Sequence, residues 1–148
     1  MRAALACLVL ASLVFASSIL AFPASPARAL DAPAREAARA AITRQVEALG
    51  RDDAASAYAV AAPSIQALFP TPDVFIGMVR SNYTAIYRHR SFVFGEARET
   101  TENGLSQDVA IQDAYGVDWT AAYSLERQAD GSWLITGCRL TKSPGTTL

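Results

Sequence analysis

From residue 31 onward the apolar positions recur first at helical spacing and then, after about residue 86, at every second residue. Ala38, Ile42, Val46 and Leu49 fall on one helical stripe, with Asp31 placed to cap, Pro33 in the first turn and Gly50 to stop it, which predicts a helix over Pro33–Leu49. Asp52 or Asp53 can cap a second, short helix carrying Ala57, Tyr58, Val60 and Ala61 as far as Pro63. Ser64 to Phe69 adds a turn before Pro70. Thr71-Pro72-Asp73 then gives a cap, a first-turn proline and an acidic first turn in order, opening a helix with Phe75, Met78 and Val79 that ends at Asn82-Tyr83.

The alternating half predicts antiparallel strands joined by tight turns. The first strand runs near Tyr87 to Thr100 with Phe92 and Phe94 on one face, and Asn103-Gly104 is placed for a type I′ hairpin. Ser106–Gln112 follows, with Val109 and Ile111 together. Asp113-Ala114-Tyr115-Gly116 turns the chain into a third strand, where Val117, Trp119, Ala121, Tyr123 and Leu125 alternate with Asp118, Thr120, Ala122, Ser124 and Glu126. Asp130-Gly131 makes the last hairpin and Trp133 to Leu140 the last strand. A meander with one apolar face must cover it, and the upstream helices are the material at hand. The expected fold is therefore α+β, with N-terminal helices packed on a curved four-stranded antiparallel sheet. Its chain order suits the cystatin-like or nuclear transport factor 2-like class, in which a conical pocket commonly opens between helices and sheet.

Ahead of this domain, Met1-Arg2 is followed by an uncharged run from Ala3 to Phe22, then by Pro23 and Pro26 and the small-x-small ending Ala27-Arg28-Ala29. That order predicts a secretory signal peptide over residues 1–29, cut between Ala29 and Leu30. It places the mature chain in the periplasm or outside the cell, as a single domain over residues 30–142 with a short tail over 143–148. The rival reading is an uncleaved anchor, since the run is long enough to span a bilayer. Cys7 lies too early for lipidation, and Asn82-Tyr83-Thr84 is taken as a chance glycosylation sequon.

The whole chain is 51% hydrophobic with a net charge of −1, and losing Arg2 and Arg28 with the leader takes it to −3. Without a Lys/Arg stripe, nucleic acid is not an expected partner. Cys138 is the one cysteine beyond the leader, so no internal disulfide is expected, and its apolar strand setting predicts a packed thiol.

The runs Ile42-x-x-Gln45-x-x-Ala48-x-x-x-Asp52-Asp53, Tyr58-x-x-Ala61-x-Pro63-x-Ile65-Gln66-x-x-Phe69 and Phe75-x-x-Met78-Val79-x-x-x-Tyr83 resemble the bacterial domain-of-unknown-function family numbered 4864. So do Gln107-x-Val109-x-Ile111-x-Asp113, Tyr123-x-Leu125 and Gly131-x-Trp133-x-Ile135-x-Gly137-Cys138-x-Leu140, so that the likeness covers about residues 38 to 142. Leu49 and Tyr58 stand where members typically carry Phe. The resemblance implies an exported small domain with no established activity and no catalytic residue to carry over.

Candidate chemistry is sparse. Asp52-Asp53 could bind a cation or act as an acid/base couple, but capping explains both carboxylates. The single histidine, His89, sits between Arg88 and Arg90 on what reads as an exposed edge strand. No metal-ligand cluster and no phosphate loop stand out, so no metal and no cofactor are expected. The aromatic residues are shared between core and candidate pocket, and Asp53, Tyr83, Tyr87, Asp118 and Trp119 are the candidate binding residues. Three functions fit: an exported domain that binds a small hydrophobic ligand or docks to an envelope protein; a pocket enzyme using Asp53 or His89 as base with Tyr83 or Tyr87 as acid; and a homodimer packed through Thr120, Ala122 and Ser124 on the outer sheet face.

Overall fold

The computed structural model describes residues 31–144, so the expected leader, the Ala29–Leu30 cleavage point and the last residues of the expected tail lie outside the described residues. The helices come first: α1 (Ala32–Gly50), α2 (Ala54–Ala59), α3 (Pro63–Leu68), α4 (Pro72–Asn82) and α5 (Thr84–Tyr87). The strands follow as β1 (His89–Thr101), β2 (Gly104–Asp113), β3 (Asp118–Arg127) and β4 (Trp133–Lys142). They form one open antiparallel sheet in the order β1-β2-β3-β4. Among the described residues no helix is long and apolar enough to cross a membrane.

Helix α1 buries the expected stripe, Ala38, Ile42, Val46 and Leu49, and adds Ala41, Gln45 and Ala48. Its end differs from the expectation. Gly50 is still helical, and the left-handed residue that closes the helix is Asp52, at φ 58°. The Asp52 amide donates to the Leu49 carbonyl and the Asp53 amide to the Ala48 carbonyl, at 3.1 and 2.9 Å, which is a Schellman closure with Asp in the position glycine usually takes. Asp53 alone caps α2, its Oδ1 accepting from the Ser56 amide at 3.0 Å. Thr71 caps α4 as expected, accepting from the Val74 amide at 3.3 Å, whereas the Asp31 side chain makes no cap bond.

Two local expectations are corrected in the sheet half. Residues 84–87 form the short helix α5, so Tyr87 and Arg88 precede the first strand rather than opening it. Asn103-Gly104 does not adopt the positive φ of a type I′ turn. Thr101 pairs with Gly104, which makes Glu102-Asn103 the loop, and glycine is needed for close approach instead. A Cβ at Gly104 would lie 2.5 Å from Thr101 Oγ1 and 2.6 Å from Thr100 Oγ1. The other two turns follow the expectation, with Gly116 and Gly131 at φ 80° and 85°.

The sheet presents Leu105, Val109, Ile111, Ala121, Tyr123, Leu125 and Ile135 to the helices, all buried. Each large aliphatic or aromatic chain removed from water there contributes about 2 kcal/mol. Register shifts bend β1 at three points and β4 at one. The bulge around Gly95 and Glu96 is held by Gln107, fully buried, whose amide donates to the Gly95, Glu96 and Asp108 carbonyls while its oxygen accepts from Arg39 of α1 at 2.9 Å. The edge of β4 is covered by the α2–α3 connection: Ile135 donates to the Val60 carbonyl and accepts from the Ala62 amide, at 2.9 and 2.8 Å. On the opposite face Val93, Thr120 and Ser124 are exposed.

Candidate functional site

Helices and sheet do not close completely on each other. Between them lies a cavity of about 220 Å³, walled by Leu49 of α1, Phe75 and Val79 of α4, Ile86 of α5, Tyr123 of β3 and Ile135 and Cys138 of β4. Ala61, Ile65, Phe69, Met78 and Gly137 complete much of the apolar wall, and Gln45 and Tyr83 bring polar groups. On the β4 side Gly137 leaves room, since a Cβ there would meet nothing within 4 Å.

The polar groups around it are few and mostly spent on the protein. Gln45 donates to the Ala57 carbonyl at 3.3 Å and Tyr83 to the Cys138 carbonyl at 3.0 Å. Tyr123 differs. It is 1% exposed, and its hydroxyl makes no hydrogen bond and has no contact with solvent. Its cross-strand partner Cys138 points to the same face, and the thiol sits beside the hydroxyl. Desolvation pushes the Cys138 thiol up to about 12. Burial likewise raises Tyr83, and raises Tyr123 strongly. All three groups are therefore neutral at physiological pH, and no charged side chain lines the cavity.

The candidate binding residues are distributed over four places. Tyr83 lines the cavity. Tyr87 lies outside it, buried under two arginines: its hydroxyl accepts from Arg80 Nε at 2.9 Å and Arg88 Nη2 at 3.1 Å, and the Arg88 guanidinium stacks 3.9 Å from its ring centre. Asp52 completes this cluster, 3.0 Å from Arg80 and 3.6 Å from Arg88, so it is a helix closer and ion-pair partner rather than a cap. Asp53 is occupied as the α2 cap, and the Ser56 bonds hold its carboxyl below the usual range. Asp118 faces solvent and accepts from Gln112 at 3.2 Å.

Trp119 borders a second hollow of about 330 Å³ with Asn82, Thr84, Arg88, Tyr115 and Leu140. Its indole donates to Asp113 Oδ2 at 2.9 Å, while Oδ1 accepts from the Tyr115 and Val117 amides, each at 2.9 Å. These bonds, the indole's first, lower the Asp113 carboxyl below its ordinary value. Asp113 thus organises the β2–β3 turn expected over Asp113–Gly116.

His89 lies against Phe92, ring centres 5.5 Å apart, with Nδ1 2.8 Å from the Ile86 carbonyl. Neither His89 nor Asp53 borders the cavity that Tyr83 lines, and neither hydrogen-bonds Tyr83 or Tyr87, whose hydroxyls engage the Cys138 carbonyl and the two arginines. Sequence reasoning had Tyr123 only among the aromatics shared between core and pocket and Cys138 as a packed thiol, and it gave Gln45 no place at the cavity. An inward tyrosine opposite an inward cysteine on neighbouring strands was the one available signal, and it depends on a register that only the folded sheet supplies.

No curated protein matches this chain. The family model for a domain of unknown function, DUF4864, matches residues 31–148, and the chain belongs to that family.

Proposed function

We propose that this protein is an exported binding domain that takes a small apolar molecule between its helices and its sheet. The observation that carries the reading is the cavity itself. Filling such a volume with side chains is worth up to about 5 kcal/mol at roughly 24 cal/mol per Å³, a figure comparable to the net stability of a whole domain. The cavity exceeds one of about 150 Å³ that holds benzene and falls short of the ~300 Å³ of drug-sized sites, so it suits a small aromatic or branched aliphatic compound. The helix-then-meander order, which suits the nuclear transport factor 2-like class, is in keeping with a pocket at this place. Export rests on the leader pattern of residues 1–29.

Thermal-shift screening against small aromatic and branched aliphatic compounds tests the binding. Hits are expected with the wild-type protein and are expected to vanish in Val79→Trp, which fills the space from α4. A flat screen, or hits that persist in Val79→Trp, would contradict it.

A further inference from the structure

The cavity's chemistry is more specific than its volume. Gln45 reaches it from α1 and is only 6% exposed. Its Nε2 donates to the Ala57 carbonyl at 3.3 Å, a group that can only accept, and this fixes which end of the amide is nitrogen. The oxygen at the other end accepts from no group among the described residues. It is not sealed off either: among those residues the Tyr123 hydroxyl is the buried side-chain atom with neither a partner nor room for water beside it. The room beside the Gln45 oxygen is the cavity that Gln45 borders. Tyr83, also on the wall, spends its proton on the Cys138 carbonyl at 3.0 Å and has only lone pairs left to offer. The wall carries no Asp, Glu, Lys, Arg or His, so an ionised ligand group would be desolvated there with no countercharge.

Resting on the reading of this cavity as a ligand site, we infer that its ligand is uncharged and carries a hydroxyl group, of the phenol or alcohol class, that donates to the Gln45 side-chain oxygen. A buried amide oxygen left unpaired costs free energy, and a donor on the ligand removes that cost. The bond to Ala57 already holds the Gln45 side chain, so little ordering is left to be done on binding. A hydroxyl brings a single proton and places it there. An amine or primary amide brings more than one, and the surplus would face an apolar wall. A bare carbonyl brings only lone pairs and leaves the Gln45 oxygen unpaired.

Three probes of similar size separate the requirements: toluene, m-cresol and benzylammonium, titrated at pH 7 into the full-length protein and into Gln45→Met. Binding is read from NMR shifts of the cavity methyl groups and, in wild type, of the Gln45 side-chain amide protons. m-Cresol is expected to bind wild type about fivefold more tightly than toluene, to move the Gln45 amide protons further than toluene does, and to lose its advantage in Gln45→Met, with benzylammonium not binding. Equal or tighter binding of toluene by wild type overturns the donor requirement while leaving the cavity as a binding site. A preference for m-cresol that survives in Gln45→Met overturns the assignment of the acceptor, and binding of benzylammonium overturns the exclusion of charge. Should Gln45→Met fail to fold for want of the Ala57 bond, the wild-type amide protons decide the acceptor alone, and no larger shift with m-cresol than with toluene overturns it. If none of the three shifts the cavity methyls, the binding reading itself fails and the inference with it.

Discussion

Removing one oxygen atom from the centre of this domain is expected to stabilise it. Tyr123 is 1% exposed and its hydroxyl makes no hydrogen bond, so the folded state carries the desolvation penalty of that group without compensation. An unsatisfied buried hydroxyl costs roughly 1–3 kcal/mol. The polarisable Cys138 thiol beside it offsets part of the penalty, which sets the expected gain of Tyr123→Phe near the lower end, about 1 kcal/mol. For a domain of this size that corresponds to a rise in Tm of about 4 °C. The ring and its packing against Phe92 stay in place, so no cavity term enters. Urea unfolding followed by the fluorescence of Trp119 and Trp133 measures the difference as a change in midpoint at constant slope. A loss of 1 kcal/mol or more would refute the reasoning, because it would mean that the hydroxyl is bonded in the free protein. Most buried Tyr→Phe changes lose stability by breaking a bond, so the predicted sign is itself diagnostic.

Other outcomes follow from the same geometry. The Cys138 thiol is raised to about 12 in the fold, so its neutral form is favoured: stability is complete below about pH 8.5, the unfolded value, and falls as pH rises toward 12, by up to about 1.4 kcal/mol per pH unit. Cys138→Ala should flatten that decline between pH 8.5 and 10, and native Cys138 should resist iodoacetamide at pH 8 until the protein is unfolded. Asp113 has the opposite sign: its lowered carboxyl stabilises the fold above about pH 4 and loses that contribution as pH falls through its folded value. Asp113→Asn should therefore be less stable than wild type at pH 7 and converge with it near pH 2, with Trp119 emission altered. Asp52→Asn keeps the left-handed backbone but loses two half-exposed ion pairs, for an expected cost of about 0.5 kcal/mol that disappears in 1 M salt. Gly104→Ala should cost about 1–2 kcal/mol by chemical denaturation, since the added methyl meets Thr100 and Thr101.

The order of elements was legible because each long element repeats one period over many residues. The stripe Ala38, Ile42, Val46, Leu49 and the alternation from Trp119 to Leu125 both appear in the fold as expected. Short or non-local features were not legible. Four residues of α5 are too few to show a helical period, so Tyr87 was assigned to the strand beyond it. Gly104 carries a strong hairpin signal, yet its reason is crowding from Thr100 and Thr101 rather than backbone sign. Asp52 and Asp53 are neighbours of the same type whose roles part at the Schellman turn, which no local propensity distinguishes. The cavity was harder still: its wall is drawn from all five helices or their connections and from two strands, and it depends on what large chains fail to meet.

The most direct measurement is a crystal structure of the protein under pressurised xenon. Xenon enters apolar cavities of this size without needing a polar anchor, so it reports the space independently of any ligand chemistry. The account predicts xenon density between Leu49, Phe75, Val79 and Tyr123. The same side chains closed together, with no xenon among them, would contradict it.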